Sequence, residues 1–269
     1  MELMELDFSL KKLKKLYTAI LSNNYQIVTF SDYLKGISRN QVVILRHDID
    51  RSVENALNIA HLEKEMNIHA SYYFRYTKAV YNPLIIKEIS HLGHEVGYHY
   101  EVLAKTGGNQ EKAFELFQEE LNHFREHVDI KTICMHGSPF SVWDSRKLWD
   151  TYNYKDLGLL GEPYFDVSFS RAAYITDTGR KWNSSKSNIR DQVKTSFNVK
   201  FKNTNEIIAA FQNNQLPGII MINIHPQRWN DSYILWVKEL ILQNSKNIVK
   251  FILKTKIQNS QKDEKDENL

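Results

Sequence analysis

Two apolar spacings alternate along the chain. From Phe8 to Leu21, Leu10, Leu13, Leu16, Tyr17, Ile20 and Leu21 recur at helical intervals and predict a helix with one buried side. Compact apolar runs then read as strands at Tyr25 to Phe30, Val42 to Arg46, Ala70 to Arg75, Glu95 to Tyr98, Ile130 to Met135 and Gly218 to Ile224. Helical stretches fall between them. Ser31-Asp32 opens a short one through Leu34, Ser52 offers an N-cap for one through Met66, and Pro83 starts one that Gly93 stops. Asn109 to Glu126 reads as a long amphipathic helix with Phe114, Phe117, Leu121 and Phe124 inward, and Asp144 to Trp149, Thr204 to Asn213 and Asp231 to Leu242 as further helices. Tyr152 to Lys200 is less regular, with strand-like pieces at Tyr164 to Phe169 and Ala173 to Thr176.

Strand and helix patterns in series predict an α/β fold, a distorted parallel (β/α) barrel of about seven or eight strands. A doubly wound open sheet is the alternative, but no Gly-rich dinucleotide loop follows any strand. The expected organisation is one barrel domain over residues 1–257, its residues 1–40 a helix–strand extension, followed by a disordered charged tail over 258–269.

Composition narrows the function. With 269 residues and 42% hydrophobic content the chain can bury a full core. Lys+Arg 35 against Asp+Glu 32 leaves no one-signed field, so charge gives nucleic-acid binding no support. Fourteen Tyr, 13 Phe and 5 Trp would suit a sugar cleft, although most aromatics belong to cores. The single cysteine, Cys134, excludes an internal disulfide or a cysteine zinc cluster and reads as a buried strand residue. No apolar run approaches the ~20 residues of a membrane span, and the start resembles no signal peptide, so the expected location is the cytoplasm.

Polar clusters stand where apolar strands end, the place where α/β proteins put their chemistry. They are Arg46-His47-Asp48-Ile49-Asp50, His94-Glu95-Val96-Gly97-Tyr98-His99-Tyr100-Glu101 and Asn223-Ile224-His225-Pro226. Asp48 and Asp50 share one strand face, as do His99 and Glu101, whereas His94 falls on the opposite face from His99 and reads as structural. Two close carboxylates raise each other's pKa unless a cation neutralises them. The arrangement points to a hydrolytic metal site.

These clusters resemble the motifs of the polysaccharide deacetylases, the chitooligosaccharide-deacetylase-like carbohydrate esterases. Arg46 to Asp50 is similar to the first motif, Gly93 to His99 to the second, His136-Gly137-Ser138-Pro139 to the third, and Met221 to His225, with Pro226 and Trp229 beyond, to the last. The resemblance implies that Asp48 is the general base, Asp50 and His99 hold a divalent metal, and His225 is the general acid. It also marks departures. Ile49 separates the Asp pair, so the roles of Asp48 and Asp50 are exchangeable; Leu103 stands where a second His ligand belongs, leaving Glu101 and His136 to complete the metal set.

Tyr174 to Trp182 takes the place of an Asp/Trp motif, and Asp177, Arg180 and Trp182, with Arg46, are the candidate substrate-binding residues. The pattern is similar to divergent members associated with surface-polysaccharide biosynthesis. Zinc suits the ligand types first, with cobalt, nickel or iron also compatible. The expected substrate is an N-acetylated amino sugar on a nucleotide- or lipid-linked intermediate. Hydrolysis of another amide and a non-catalytic sugar-binding role are the alternatives. Nothing in the sequence fixes the oligomeric state.

Overall fold

The computed structural model describes residues 6–36, 41–138, 141–182, 193–197 and 199–248. Its spine is β2 (Val42–Ile49), an eight-residue strand buried along its whole length. On one side β2 pairs with β7 (Ile219–Ile224). On the other, β1 (Gln26–Val28) runs beside its first half and β3 (Ser71–Phe74) beside its second. β4 (Glu95–Tyr100) and β5 (Ile133–Met135) continue past β3, and β6 (Ala172–Thr176) flanks β7. The result is a seven-stranded sheet, order β5-β4-β3-β2-β7-β6 with β1 against β2, in which every described ladder is parallel.

Parallel neighbours require crossover connections. These are supplied by α2 (Phe30–Leu34), α3 (Val53–Glu65), α4 (Pro83–His91), α5 (Val102–Lys105), α6 (Gln110–Arg125), α7 (Pro163–Asp166) and α8 (Thr204–Gln212); α1 (Leu10–Ser22) precedes β1, and residues 233–248, after β7, are also helical. Their ends carry the expected caps. Asn82 accepts from the backbone of Leu84 and Ile85 with Pro83 at the first helical position, and Asn109 and Asn203 cap α6 and α8 alike.

Alternate β2 residues enter different cores. Val43, Leu45 and Ile49 join the layer between sheet and helices, whereas Val42 and Ile44 meet Tyr73, Cys134, Ala172, Tyr174 and Met221 in a second cluster. Cys134 and Ala172 lie on the two outermost strands in sheet order, so the sheet must curl until its margins share an interior. It is a half-barrel of the distorted (β/α) type; among the described residues no ladder joins β5 to β6. The interior is tight. A Cβ on Gly97 would come within 2.4 Å of the Tyr73 ring, so only glycine fits there.

Several elements differ from the sequence reading. The strand-like piece at Tyr164 to Phe169 begins instead as helix α7, because Pro163 sits at its first turn and the Glu162 carboxylate caps Tyr164 N–H. Ser52 does not cap α3 through its side chain; it takes a left-handed conformation, φ 55°, that turns the chain out of β2. Asp144 to Trp149 is a 3-10 segment, Ser145–Asp150. α5 has no counterpart in the periodicity, being a single turn. Residues 258–269, read as a disordered tail, lie outside the described residues.

Candidate metal centre

All the strands run the same way, so their C-terminal ends open on one rim, and the polar clusters meet there. Asp48 is the last inward-facing residue of β2 and Asp50 lies just past its end. His99 comes from β4, His136 from just beyond β5, Asp177 from just beyond β6 and His225 from just beyond β7.

The two aspartates have different surroundings. Arg46 grips Asp48 with two bonds, Nε to Oδ1 at 2.7 Å and Nη2 to Oδ2 at 2.6 Å, and Asn223 Nδ2 adds a third at 3.0 Å. Burial alone would raise the Asp48 pKa, but Arg46 above all, then His99 and His225, hold it far below the carboxylate range. Asp50 is a quarter exposed, and its Oδ1 has no hydrogen-bond partner. Around it stand His136 Nε2 at 3.4 Å and His99 Nε2 at 3.8 Å from Oδ1, and His225 Nε2 at 4.0 Å from Oδ2. Burial again raises its pKa, yet these three imidazoles and Arg75 bring it to about 2.

Each histidine is oriented through its other nitrogen. His99 Nδ1 donates to the Cys134 carbonyl at 2.9 Å, leaving the Nε2 lone pair facing the site. Burial, against the pull of Asp48, depresses the His99 pKa to about 4, so the ring is neutral near pH 7. His136 Nδ1 donates to Glu101 Oε2 at 2.8 Å, which likewise turns Nε2 toward Asp50. Glu101 is fully engaged: Arg75 Nη2 and Nε hold Oε1 at 2.6 and 3.1 Å, and Ser138 Oγ donates to Oε2 at 2.8 Å. His225 Nδ1 donates to Asp177 Oδ1 at 2.6 Å. Asp177 in turn takes Trp229 Nε1 at 2.8 Å and Arg228 Nη1, and Arg228 leads the charges that pull its pKa down against burial.

Ligand atoms of Asp50, His99 and His136 all lie within 4.8 Å of one another, so they could hold one ion. The donor set fits a borderline divalent cation: two imidazoles with Nε2 turned inward and a carboxylate with an oxygen to spare. A deeper trio, Asp48, His99 and Cys134, meets the same distance criterion, but both Asp48 oxygens already accept from Arg46.

The structure thus sorts the sequence candidates. It brings Asp48, Asp50, His99, His136 and His225 together with Glu101 behind them, so Glu101 positions His136 and does not face the ion site. The substrate-binding candidates are corrected. Arg46 is 1% exposed and occupied by Asp48, and Asp177 is fully buried under His225. Arg180 stacks on Trp236 at 4.3 Å, and Trp182 is 3% exposed, bonded to Thr204 and stacked on Phe8. None has a face left for a sugar. Leu103 packs into the outer core. His94, on the outer face, is bonded to the Ala60 carbonyl and the Ala70 N–H. Arg75 and Arg228 escaped the sequence reading, and Asn223, noted in the last cluster, was given no role there. For Arg75 and Asn223 a signal existed: each stands at or near a strand end, Arg75 one residue past β3 and Asn223 two before His225 on the same face.

No family model and no curated protein matches the sequence. Among solved structures, the chain is similar to a family 4 carbohydrate esterase pseudoenzyme from Bacillus anthracis, with 12% identity over 76% of this chain and a TM-score of 0.42. The similarity spans 60% of that protein's length. The chain is also similar to a family 4 carbohydrate esterase from Bacillus anthracis, with 15% identity over 88% of this chain and 87% of that one, at TM-score 0.38. A family 4 carbohydrate esterase from Bacillus subtilis shares 15% identity over 85% and 84% of the two chains, at TM-score 0.39.

Proposed function

We propose that the chain is a metal-dependent carbohydrate N-deacetylase, a divergent polysaccharide deacetylase acting on an N-acetylated amino sugar of surface-polysaccharide biosynthesis. The observation that carries this reading is the set of open ligand atoms on Asp50, His99 and His136, flanked by a tethered carboxylate and a carboxylate-backed imidazole. A divalent cation there, zinc foremost, supplies Lewis acidity to the acetyl carbonyl and to the attacking water.

The protein's own groups do the rest. Asp48, 3.7 Å from His99 Nε2, accepts the water proton, and the Arg46 fork keeps that carboxylate aimed and ionised. His225 gives a proton to the departing amine from Nε2, and the buried Asp177 carboxylate stabilises the imidazolium this requires. Tethering supports one order of the exchangeable aspartates: Asp48 is engaged and takes the proton, whereas Asp50 has the free oxygen and takes the ion.

Acetate release from a panel of N-acetylated sugars on nucleotide- and lipid-linked carriers tests the reading. Asp48→Asn and His225→Ala are expected to lose roughly 10²–10⁴-fold in rate while remaining folded and metal-loaded. Undiminished turnover in either variant refutes the acid and base roles of these two residues. A native protein that binds these sugars without hydrolysing any of them is a sugar-binding relative instead.

A further inference from the structure

The helical residues 233–248 have two unlike sides. The inner side is fastened to the barrel: Glu239 takes two bonds from Arg51, at 2.6 and 2.8 Å, and Asn247 Nδ2 donates to the Gly179 carbonyl at 2.9 Å. Arg180 Nη1 reaches the Trp236 carbonyl at 3.0 Å, and Trp236 Nε1 donates to the Asp7 carbonyl at 2.6 Å. The outer side is apolar and uncovered, with Ile234 77%, Ile241 62% and Ile248 61% exposed at seven-residue steps, and Leu235 and Leu242 beside them. A stripe repeating over two turns of helix lies on one face.

The exposed charge on this helix is positive, with the exposed Asp231 just before its first turn. Lys238 and Lys246 are exposed on the helix, and its only acid, Glu239, is turned inward and neutralised by Arg51. Past Glu239 the sequence has no acid until Asp263, while Lys246, Lys250, Lys254, Lys256 and Lys262 intervene. Among them stand Ile248, Val249, Phe251, Ile252, Leu253 and Ile257. An apolar stripe with exposed lysines on the same helix matches a surface that is greasy beneath and anionic on top.

We propose that residues 233–248 seat the protein on an anionic membrane surface, with the isoleucine stripe in the headgroup–acyl boundary and Lys238 and Lys246 on the lipid phosphates. No described helix is long and apolar enough to cross a membrane, and none needs to. The seat lies next to the site, because Arg51, which ties the helix down, adjoins Asp50. Resting on the deacetylase reading, this favours a lipid-linked sugar over a nucleotide-linked one.

Co-sedimentation with vesicles tests the seat without reference to activity. The full chain is expected to pellet with phosphatidylcholine vesicles containing phosphatidylglycerol, to be released by salt, and to bind pure phosphatidylcholine far less. Ile234→Asp and Ile241→Asp should each weaken partitioning about tenfold or more, with unchanged thermal melting, since both side chains are on the surface. Failure to pellet with either vesicle, or equal partitioning of the native and Asp variants, overturns the proposal. So does a stable dimer in solution that the same substitutions split, since the stripe then faces a second copy. If the seat holds and no acetylated sugar is hydrolysed, the deacetylase reading fails and the membrane reading stands.

Discussion

Two buried clusters of histidines and acids sit on opposite faces of β2, one residue apart. Inward, Asp48 and, just past the strand, Asp50 meet His99, His136 and His225. Outward, His47 Nε2 bonds to Glu63 at 2.7 Å, joined by Tyr17 at 2.5 Å and Tyr72 at 2.6 Å on the same carboxylate. Residue types are alike; burial and the direction of the bonding are not, since His47 and Glu63 are fully buried whereas Asp50 is a quarter exposed. The outer cluster closes on itself, with Glu63 as its centre and His47 Nδ1 its only unpartnered polar side-chain atom. The inner cluster is bonded from behind, so that Asp50 Oδ1, His99 Nε2 and His136 Nε2 converge unspent. A closed cluster holds α1, α3 and the sheet together, whereas an open one is a place for a ligand.

Removing a member from each cluster should separate them by readout. His136→Ala is expected to abolish stoichiometric metal loading while leaving the melting temperature of the apo-protein close to native. Glu101→Gln, which keeps the shape but gives up the carboxylate behind His136, should cost about 10–100-fold in metal affinity. Titration with zinc in a competing chelator measures both. If Glu101→Gln abolishes loading and His136→Ala does not, Glu101 is the ligand and the positions are reversed.

The outer cluster should respond in stability alone. Glu63→Ala strands two tyrosine hydroxyls and an imidazole in a dry layer, for a loss of about 3–5 kcal/mol. Urea unfolding gives the loss, and metal affinity measured on the folded fraction should match native. A matching drop in metal affinity would mean that the two faces of β2 are coupled, and the distinction between them would fall.

How far these clusters were legible depends on how far each signal travels along the chain. β2 and β7 could be read because strands buried on both faces are unbroken apolar runs, and a polar residue at the end of such a run is conspicuous. Parity then placed Asp48 with Asp50 and set His94 apart from His99. The missing ligand at Leu103 could be noticed, but not replaced: α5 begins directly after Glu101 and carries Leu103 into the core, while His136 arrives from the neighbouring strand. The Asp177–His225 pair spans 48 residues, so no local pattern tells whether Asp177 faces a sugar or a histidine. Trp182 misleads for the same reason, since Phe8 and Thr204, which bury it, are far away in sequence. Tyr164 to Phe169 has strand-like composition, and one proline and one carboxylate cap override it.

The smallest expected effect is a pH dependence, and it contrasts a carboxylate of the outer cluster with one beside the site. Burial would raise Glu63, but His47, His94 and the Tyr17 hydroxyl lower it below its ordinary value. Its contribution to stability is therefore complete above the carboxylate range and lost as the solution is acidified through its folded value. Glu162, fully buried behind Arg46, is the reverse case: burial outweighs its bonds from the Met135 and Tyr164 N–H groups and the charge of Arg46, and it reaches about 7 from 4.5. Between those two values the folded protein keeps a proton that the unfolded chain has released, so stability declines as pH rises through that window and levels off above it. His99, depressed to about 4, has the opposite slope below its ordinary value and partly masks this decline in the native protein. The difference between native and Glu162→Gln isolates it. Unfolding free energies taken between about pH 5 and pH 8 should show native losing ground to the variant as pH rises, by at most about 1.4 kcal/mol per pH unit. Parallel curves would mean that Glu162 titrates normally and that the wall behind Arg46 is wetter than its burial suggests.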